Sequence, residues 1–258
     1  MNRFMTYGRN ILLLSVVFLV GSLAINLIGP IWSIYIKDFL GASMTELGFV
    51  FSASNAVAAV MQILSGFLSD RYGRKRLHAL GTLLAALPPL MYALAKNWFD
   101  LVPWVMLSGF ATGLYLPIRW AIVADDSSTE TMASAYSWTN ISWLVGSSVG
   151  PFVGGVVADS FGIHFPFFAC SILGFTVFPL TLLMKETRRK PQTKAASSNN
   201  KEVGVINGYL LAVVLFSLIN IIQGLGVGVT APVISVFVLR KFPVDYTFIG
   251  ILFAIGFG

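Results

Sequence analysis

The side chains able to make or break covalent bonds are few and far apart. Cys170 is the single cysteine, and His78 and His164 are the two histidines. There is no HExxH pattern, no pair of histidines at ligand spacing and no nucleophile–base set, so the chain is not expected to be an enzyme and no cofactor or metal is expected. The chemistry that spacing does single out is electrostatic. Gly66-Phe67-Leu68-Ser69-Asp70-Arg71-Tyr72-Gly73-Arg74-Lys75-Arg76 places one carboxylate at the end of an apolar run, beside four cations. An acid in that place suits the positive N-terminal end of a neighbouring helix, and Arg74 can bridge to a second carboxylate. Gly66 and Gly73 suit close packing and a tight turn.

A second pattern is a stripe of small residues. Gly146, Gly150 and Gly154 recur every fourth residue and so share one helix face. Gly155 and Pro151 adjoin it; the glycines admit a neighbouring backbone, and the proline removes one donor and can bend the helix. A third set is polar groups within apolar runs, which mark a solute pathway by default. These are Asn26, Arg119, Asn140, Asn220 and Gln223, with Trp143 beside them. Each also has a plainer reading. The amides can bond between helices, Trp143 can anchor at an interface, and Arg119 can snorkel from a shallow depth instead of facing a cavity.

The elements that must hold these residues follow from composition. Of 258 residues, 56% are hydrophobic and 11% charged, against about 25% charged in a soluble domain. A chain this poor in charge cannot coat a soluble fold. Runs long enough to span a bilayer as helices lie at 11–36, 47–68, 77–95, 99–124, 132–158, 164–184 and 206–239. An eighth opens at 247 and reaches 258, about half a span, so the chain is expected to be a fragment of a longer protein. Helix is required because isolated strands cannot satisfy their backbone in lipid. The first run is too long for a signal peptide.

Lys37, Lys96, Arg240 and Lys241 fall on one side of the alternating loops, and the other thirteen of the 17 basic residues fall on the opposite side. The positive-inside rule then puts the N-terminus in the cytoplasm of a multi-pass cell-membrane protein. The same clustering explains the net charge of +6 without nucleic acid, which is not expected as a partner. Residues 185–205, polar and basic, read as a cytoplasmic linker between a six-helix unit, 1–184, and the start of another, 206–258.

The motif at Asp70 has a copy. Gly155-Val156-Val157-Ala158-Asp159-Ser160-Phe161-Gly162 repeats G-x-x-small-D-x-aromatic-G at an offset of 89, carrying Gly66 to Gly155, Asp70 to Asp159 and Gly73 to Gly162. The second run therefore matches the fifth, and the first three helices match the next three. Three is odd, so the copies have opposite topology, and inverted repeats of this kind are a signature of secondary transporters.

With that plan in view, residues 66–76 resemble motif A of the major facilitator superfamily. Gly146-Ser147-Ser148-Val149-Gly150-Pro151-Phe152-Val153-Gly154-Gly155 resembles the family's motif C, common in its antiporters, and 109–117 resembles its fourth helix. The resemblance implies an all-α polytopic fold: a six-helix bundle of inverted three-helix repeats, a cytoplasmic linker, then a seventh helix and part of an eighth. It implies that Asp70, Arg71, Arg74 and Lys75 form a gating charge cluster with an acid at the end of helix four, the place of Asp125. It also implies alternating-access transport of small organic molecules, with efflux or antiport favoured, a proton or cation as coupling partner, the bilayer as surroundings and a second bundle needed. The family's motif B arginine is replaced by Val105. No acid lies deep in the first seven spans, so the coupling ion is not legible. A seven-helix receptor or other non-transporting membrane protein is the alternative; residues 206–239 hold no lysine for a retinal Schiff base.

Overall fold

In the computed structural model, residues 9–187 and 202–257 are described; in 202–213, and at Asn220 among others, the description is of backbone alone. Among the described residues eight α-helices follow one another: α1 (Arg9–Ile34), α2 (Met44–Tyr72), α3 (Arg74–Ala93), α4 (Val102–Asp126), α5 (Met132–Phe161), α6 (Phe165–Leu182), α7 (Glu202–Lys241) and α8 (Tyr246–Phe257). No strand occurs among the described residues. Five described stretches are long and apolar enough to cross a membrane: Arg9–Phe39, Met44–Tyr72, Trp98–Asp126, Met132–Phe161 and Phe165–Leu182. α3 opens on Arg74-Lys75-Arg76, which shortens its apolar part.

Local chemistry sets the boundaries. Ser43 caps α2: its Oγ accepts from Glu46 N at 3.2 Å and its own N–H donates to Glu46 Oε2 at 2.7 Å, a reciprocal capping box. α2 ends at Gly73 (φ +94°, ψ 141°) and α5 at Gly162 (φ +101°, ψ 158°), in the mirror-β region that only glycine enters cheaply. The expected runs stop short of these corners; helix continues through the charged motif residues because their N–H and C=O groups still bond along the axis. α7 likewise begins at Glu202, four residues before its expected apolar start and inside the segment read as a linker. Residues 188–201 of that segment lie outside the described residues.

Packing follows the repeat. α1 packs on α5 as α2 packs on α4; α3 packs on α4 as α6 packs on α1; α3 and α6 pack on each other. Exchanging helices one to three with four to six maps this pattern onto itself, as an inverted repeat requires. Apolar side chains such as Ile63 (71% exposed) and Phe67 (76% exposed) point outward from the bundle, which suits lipid and not water.

Between helices, small residues replace bulk. A Cβ on Gly146 would lie 2.6 Å from Leu19 O, one on Gly150 would lie 2.7 Å from Asn26 Cβ, and one on Gly154 would collide with the Leu27 carbonyl. The stripe of α5 therefore seats against the α1 backbone. Gly109 and Gly113 of α4 seat in the same way on Ser54 and Ala58 of α2. Lipid tails are as apolar as leucine, so such close van der Waals contact is what holds membrane helices together.

Candidate functional site

Three places in this frame bring chemistry-bearing residues together. The first is the basic end, where α2 turns into α3. Arg74 Nη1 lies 2.6 Å from Asp125 Oδ2, and Arg74 Nη2 lies 3.7 Å from Asp70 Oδ1. Arg74 Nη1 also donates to the Ala121 carbonyl at 2.7 Å. The Arg74 and Asp125 side chains are each 11% exposed, so this pair is largely withdrawn from water, where losing one partner strands the other charge. The Gly73 corner makes the reach possible by being the single residue between the end of α2 and the start of α3. Lys75 contributes its backbone N–H, which donates to Glu186 Oε1 at 3.1 Å. Arg71 lies over the Tyr72 ring at 5.5 Å and takes no part in the ion pairs among the described residues.

Residues outside the motifs complete this end. Asn10 donates to Asp126 Oδ1 at 3.3 Å and to the Lys185 carbonyl at 3.2 Å, and accepts from Lys185 N at 2.8 Å. The Glu186 carboxylate sits against Gly73, 3.0 Å from where a Cβ would stand. Asn10, Asp126 and Glu186 thus tie the start of α1 and the ends of α4 and α6 into the cluster. One signal for Asn10 was its polar amide directly before the first apolar run.

Gly66 does not pack as its spacing suggested. A Cβ there would meet nothing within 4 Å, because this part of α2 faces outward from the described helices. The turn at Gly73 is real, and the close approach in this motif belongs to Gly73 and not to Gly66.

The second place is the corner of α5. Asp159 Oδ1 accepts from Tyr246 N at 3.1 Å; its Oδ2 accepts from Thr247 N at 2.7 Å and Thr247 Oγ1 at 2.5 Å. Asp245 adds a bond from Phe248 N at 2.8 Å. Two carboxylates therefore satisfy the first turn of α8, whose N–H groups lack intrahelical partners and carry the positive end of the dipole. Beneath them Gly155 faces the Tyr246 carbonyl and Gly250 of α8 faces Pro151. Residues 146–155 of α5 thus have two contact faces: Gly146, Gly150 and Gly154 toward α1, Pro151 and Gly155 toward α8. At the same end Arg240 Nη2 lies 3.1 Å from Asp38 Oδ1, tying α7 to the π-helical turn Tyr35–Phe39 that follows α1.

The third place is a cavity of about 110 Å³ bounded by α1, α3, α4, α5 and α6. Arg119, Trp143 and His78 line it, and Arg119 is 7% exposed. Its guanidinium stands over Phe18 (4.5 Å), Trp120 (4.5 Å) and Trp143 (4.8 Å). Each such contact is worth about 0.5–2 kcal/mol, against a cost of several kcal/mol for withdrawing a charge from water. The three rings together offset a cost of that order, but they leave the in-plane N–H donors unmet, and Arg119 Nε has no hydrogen-bond partner among the described residues. Phe18 and His78 had no sequence signal, since a ring and a histidine on apolar helices look like core. Asn26 lies elsewhere: its Nδ2 donates to the Ser22 carbonyl at 2.8 Å and its Cβ faces Gly150. Asn140 and Gln223 are exposed. The side chain of Asn220 lies outside the described residues.

The chain is similar to known proteins in sequence and fold. The family model described as Major Facilitator Superfamily matches residues 14–258. The chain is 28% identical over 166 residues to "Uncharacterized MFS-type transporter MJ1560" of Methanocaldococcus jannaschii, covering 64% of this chain and 43% of that protein. It is 25% identical over 171 residues to "Quinolone resistance protein NorA" of Staphylococcus aureus, covering 66% and 44%. The chain thus matches less than half the length of these curated relatives. Among solved structures, the nucleoside transporter NupG superposes with TM-score 0.76 at 16% identity, over 96% of this chain and 65% of that one. A bacterial homolog of the human lysosomal transporter Spinster, inward-facing and unoccupied, superposes with TM-score 0.70 at 15% identity, over 94% and 57%.

Proposed function

The chain belongs to the major facilitator superfamily, and from that premise we propose that it serves secondary transport of small organic molecules by alternating access, in the direction of efflux. Residues 1–184 form the first bundle of the transporter, 185–205 a cytoplasmic linker and 206–258 the opening of the second bundle. The N-terminus and the Arg74 cluster face the cytoplasm of a plasma-membrane protein, in keeping with the bias of lysine and arginine toward that end. Aromatic compounds such as quinolones are the first cargo to test, given the relative whose name carries that word. Exchange against a proton or cation drives the cycle.

The observation that carries this reading is the Arg74–Asp125 pair, 2.6 Å long and 11% exposed on both sides. It ties the α2–α3 corner to the end of α4, while Asp70 stands beside it at the end of α2. A largely withdrawn ion pair at one end of a bundle is a discrete element that holds in one arrangement and releases in another. In that role Asp70 and Arg74 stabilise the state closed toward the cytoplasm.

The test is transport into inside-out vesicles by the protein encoded at this locus, with Asp70→Asn as the variant. The expected outcome is at least a tenfold loss of rate with membrane insertion unchanged. An unaltered rate rejects the gating role.

A further inference from the structure

Arg119 and His78 are buried side chains that the ion cluster does not use. Arg119 is 7% exposed and His78 1% exposed, and both line one cavity. Among the described residues Arg119 makes no ion pair, its Nε has no hydrogen-bond partner, and neither has either ring nitrogen of His78. Phe18, Trp120 and Trp143 cover the guanidinium. The donors of a guanidinium lie at its edge, in a planar fork that fits a carboxylate, and here no acid meets that fork. His78 stands edge-on to Tyr115 at 6.0 Å between ring centroids, and its nitrogens are further groups able to bond an oxygen.

Shape narrows the class. The cavity, about 110 Å³, is smaller than the one of about 150 Å³ that takes a benzene ring. By itself it accepts a head group and a narrow stem. A second cavity of about 230 Å³ adjoins it, sharing Ile25, Ile28, Tyr92 and Ser108. Arg119 and Ser108 are eleven residues apart on α4, about 16 Å at 1.5 Å per residue. The two cavities together form an apolar trough along α1 with one cation toward its end.

We infer that this trough binds a small organic monocarboxylate, its acid on Arg119 and His78 and its apolar body extending toward Ser108. The inference deepens the transport reading by naming a cargo class, and rests on that reading only for the movement of the ligand, not for its binding. The site lies among α1, α3, α4, α5 and α6, so it needs no residue from α7 or α8.

The test is equilibrium binding to the purified chain in detergent, followed by tryptophan emission, since Trp120 and Trp143 flank the guanidinium. The probes are 4-phenylbutyrate, its neutral amide 4-phenylbutanamide and the cation 4-phenylbutylamine. The acid is expected to saturate the signal, with amide and amine at least tenfold weaker. Arg119→Gln is expected to erase the preference for the acid, and Arg119→Lys, which keeps the charge without the planar fork, to retain part of it. Gel filtration and a thermal melt establish that each variant is folded. His78→Phe, which keeps a ring without nitrogens, is expected to weaken the acid two- to fivefold while leaving the amide unchanged. Amide or amine binding as tight as the acid overturns the inference, as does a full acid preference in folded Arg119→Gln. Vesicle transport of a neutral aromatic without acid binding leaves the transport reading standing and removes this one. Acid binding without transport of any probe does the opposite.

Discussion

The corners at Gly73 and Gly162 are built alike and used differently. Each ends a long helix, each takes a positive φ, and each amide donates back four residues, Gly73 to Ser69 O at 3.1 Å and Gly162 to Ala158 O at 2.9 Å. Each follows an aspartate by three residues. Yet Asp70 lies in an ion cluster with Arg74 and Asp125, and Asp159 caps the first turn of α8. The difference comes from what surrounds the corner. Arg74 follows Gly73 and turns back onto Asp70 and Asp125, whereas Ile163 follows Gly162 and is buried, leaving Asp159 to the helix beside it. A repeated local motif fixes the bend; the charges near it decide the partner.

The largest effect expected from breaking this comparison is at Arg74. Arg74→Ala strands Asp125 at a largely buried position and is expected to cost about 3 kcal/mol, read as a drop in the detergent melt. At the α5 corner neither arginine nor lysine follows Gly162, and the polar side chain nearest after it is His164. His164→Ala removes a bond to the Ala93 carbonyl at 3.1 Å and is expected to cost about 1 kcal/mol. Equal melts for the two variants contradict the division of labour.

Next is the glycine pair Gly154 and Gly66. Gly154→Leu drives a side chain into the Leu27 backbone of α1 and is expected to cost about 1–3 kcal/mol. A Cβ at Gly66 meets nothing within 4 Å and the position is exposed, so Gly66→Leu is expected to be neutral or stabilising, by up to about 1 kcal/mol from helix propensity. Measured losses of similar size at both positions would show that α2 has a partner the described helices do not supply.

A smaller contrast separates the corners themselves. Alanine at either glycine must adopt a strained φ, at about 1–2 kcal/mol. Gly73→Ala also presses on the Glu186 carboxylate, 3.0 Å from the new Cβ, whereas Gly162→Ala meets nothing within 4 Å. Gly73→Ala is therefore expected to melt lower, and Glu186→Ala to bring the two closer. The smallest effect is at the cap. Asp159→Ala is expected to cost about 1 kcal/mol, seen as faster amide exchange at Tyr246 and Thr247 with little change in α1–α6.

The residues alone determined a good deal. The scarcity of charge forces a membrane solvent, run length forces helices, and the 89-residue offset pairs α2 with α5, because these depend on composition and periodicity that any bilayer imposes. The family follows from motifs with fixed spacing, and the corner at Gly73 from its place between two helices. Tertiary structure decided which charges meet. Asp125 was reachable from the sequence only through resemblance; Asn10, Asp126 and Glu186 join the cluster because the start of α1 and the ends of α4 and α6 lie at one level, a fact no local pattern records. Gly66 and Gly154 look equivalent as letters, and only the neighbouring backbone tells them apart. The same holds for Arg119: its spacing allows a snorkelling side chain or a cavity wall, and the rings of Phe18 and Trp143, contributed by other helices, place it in the wall.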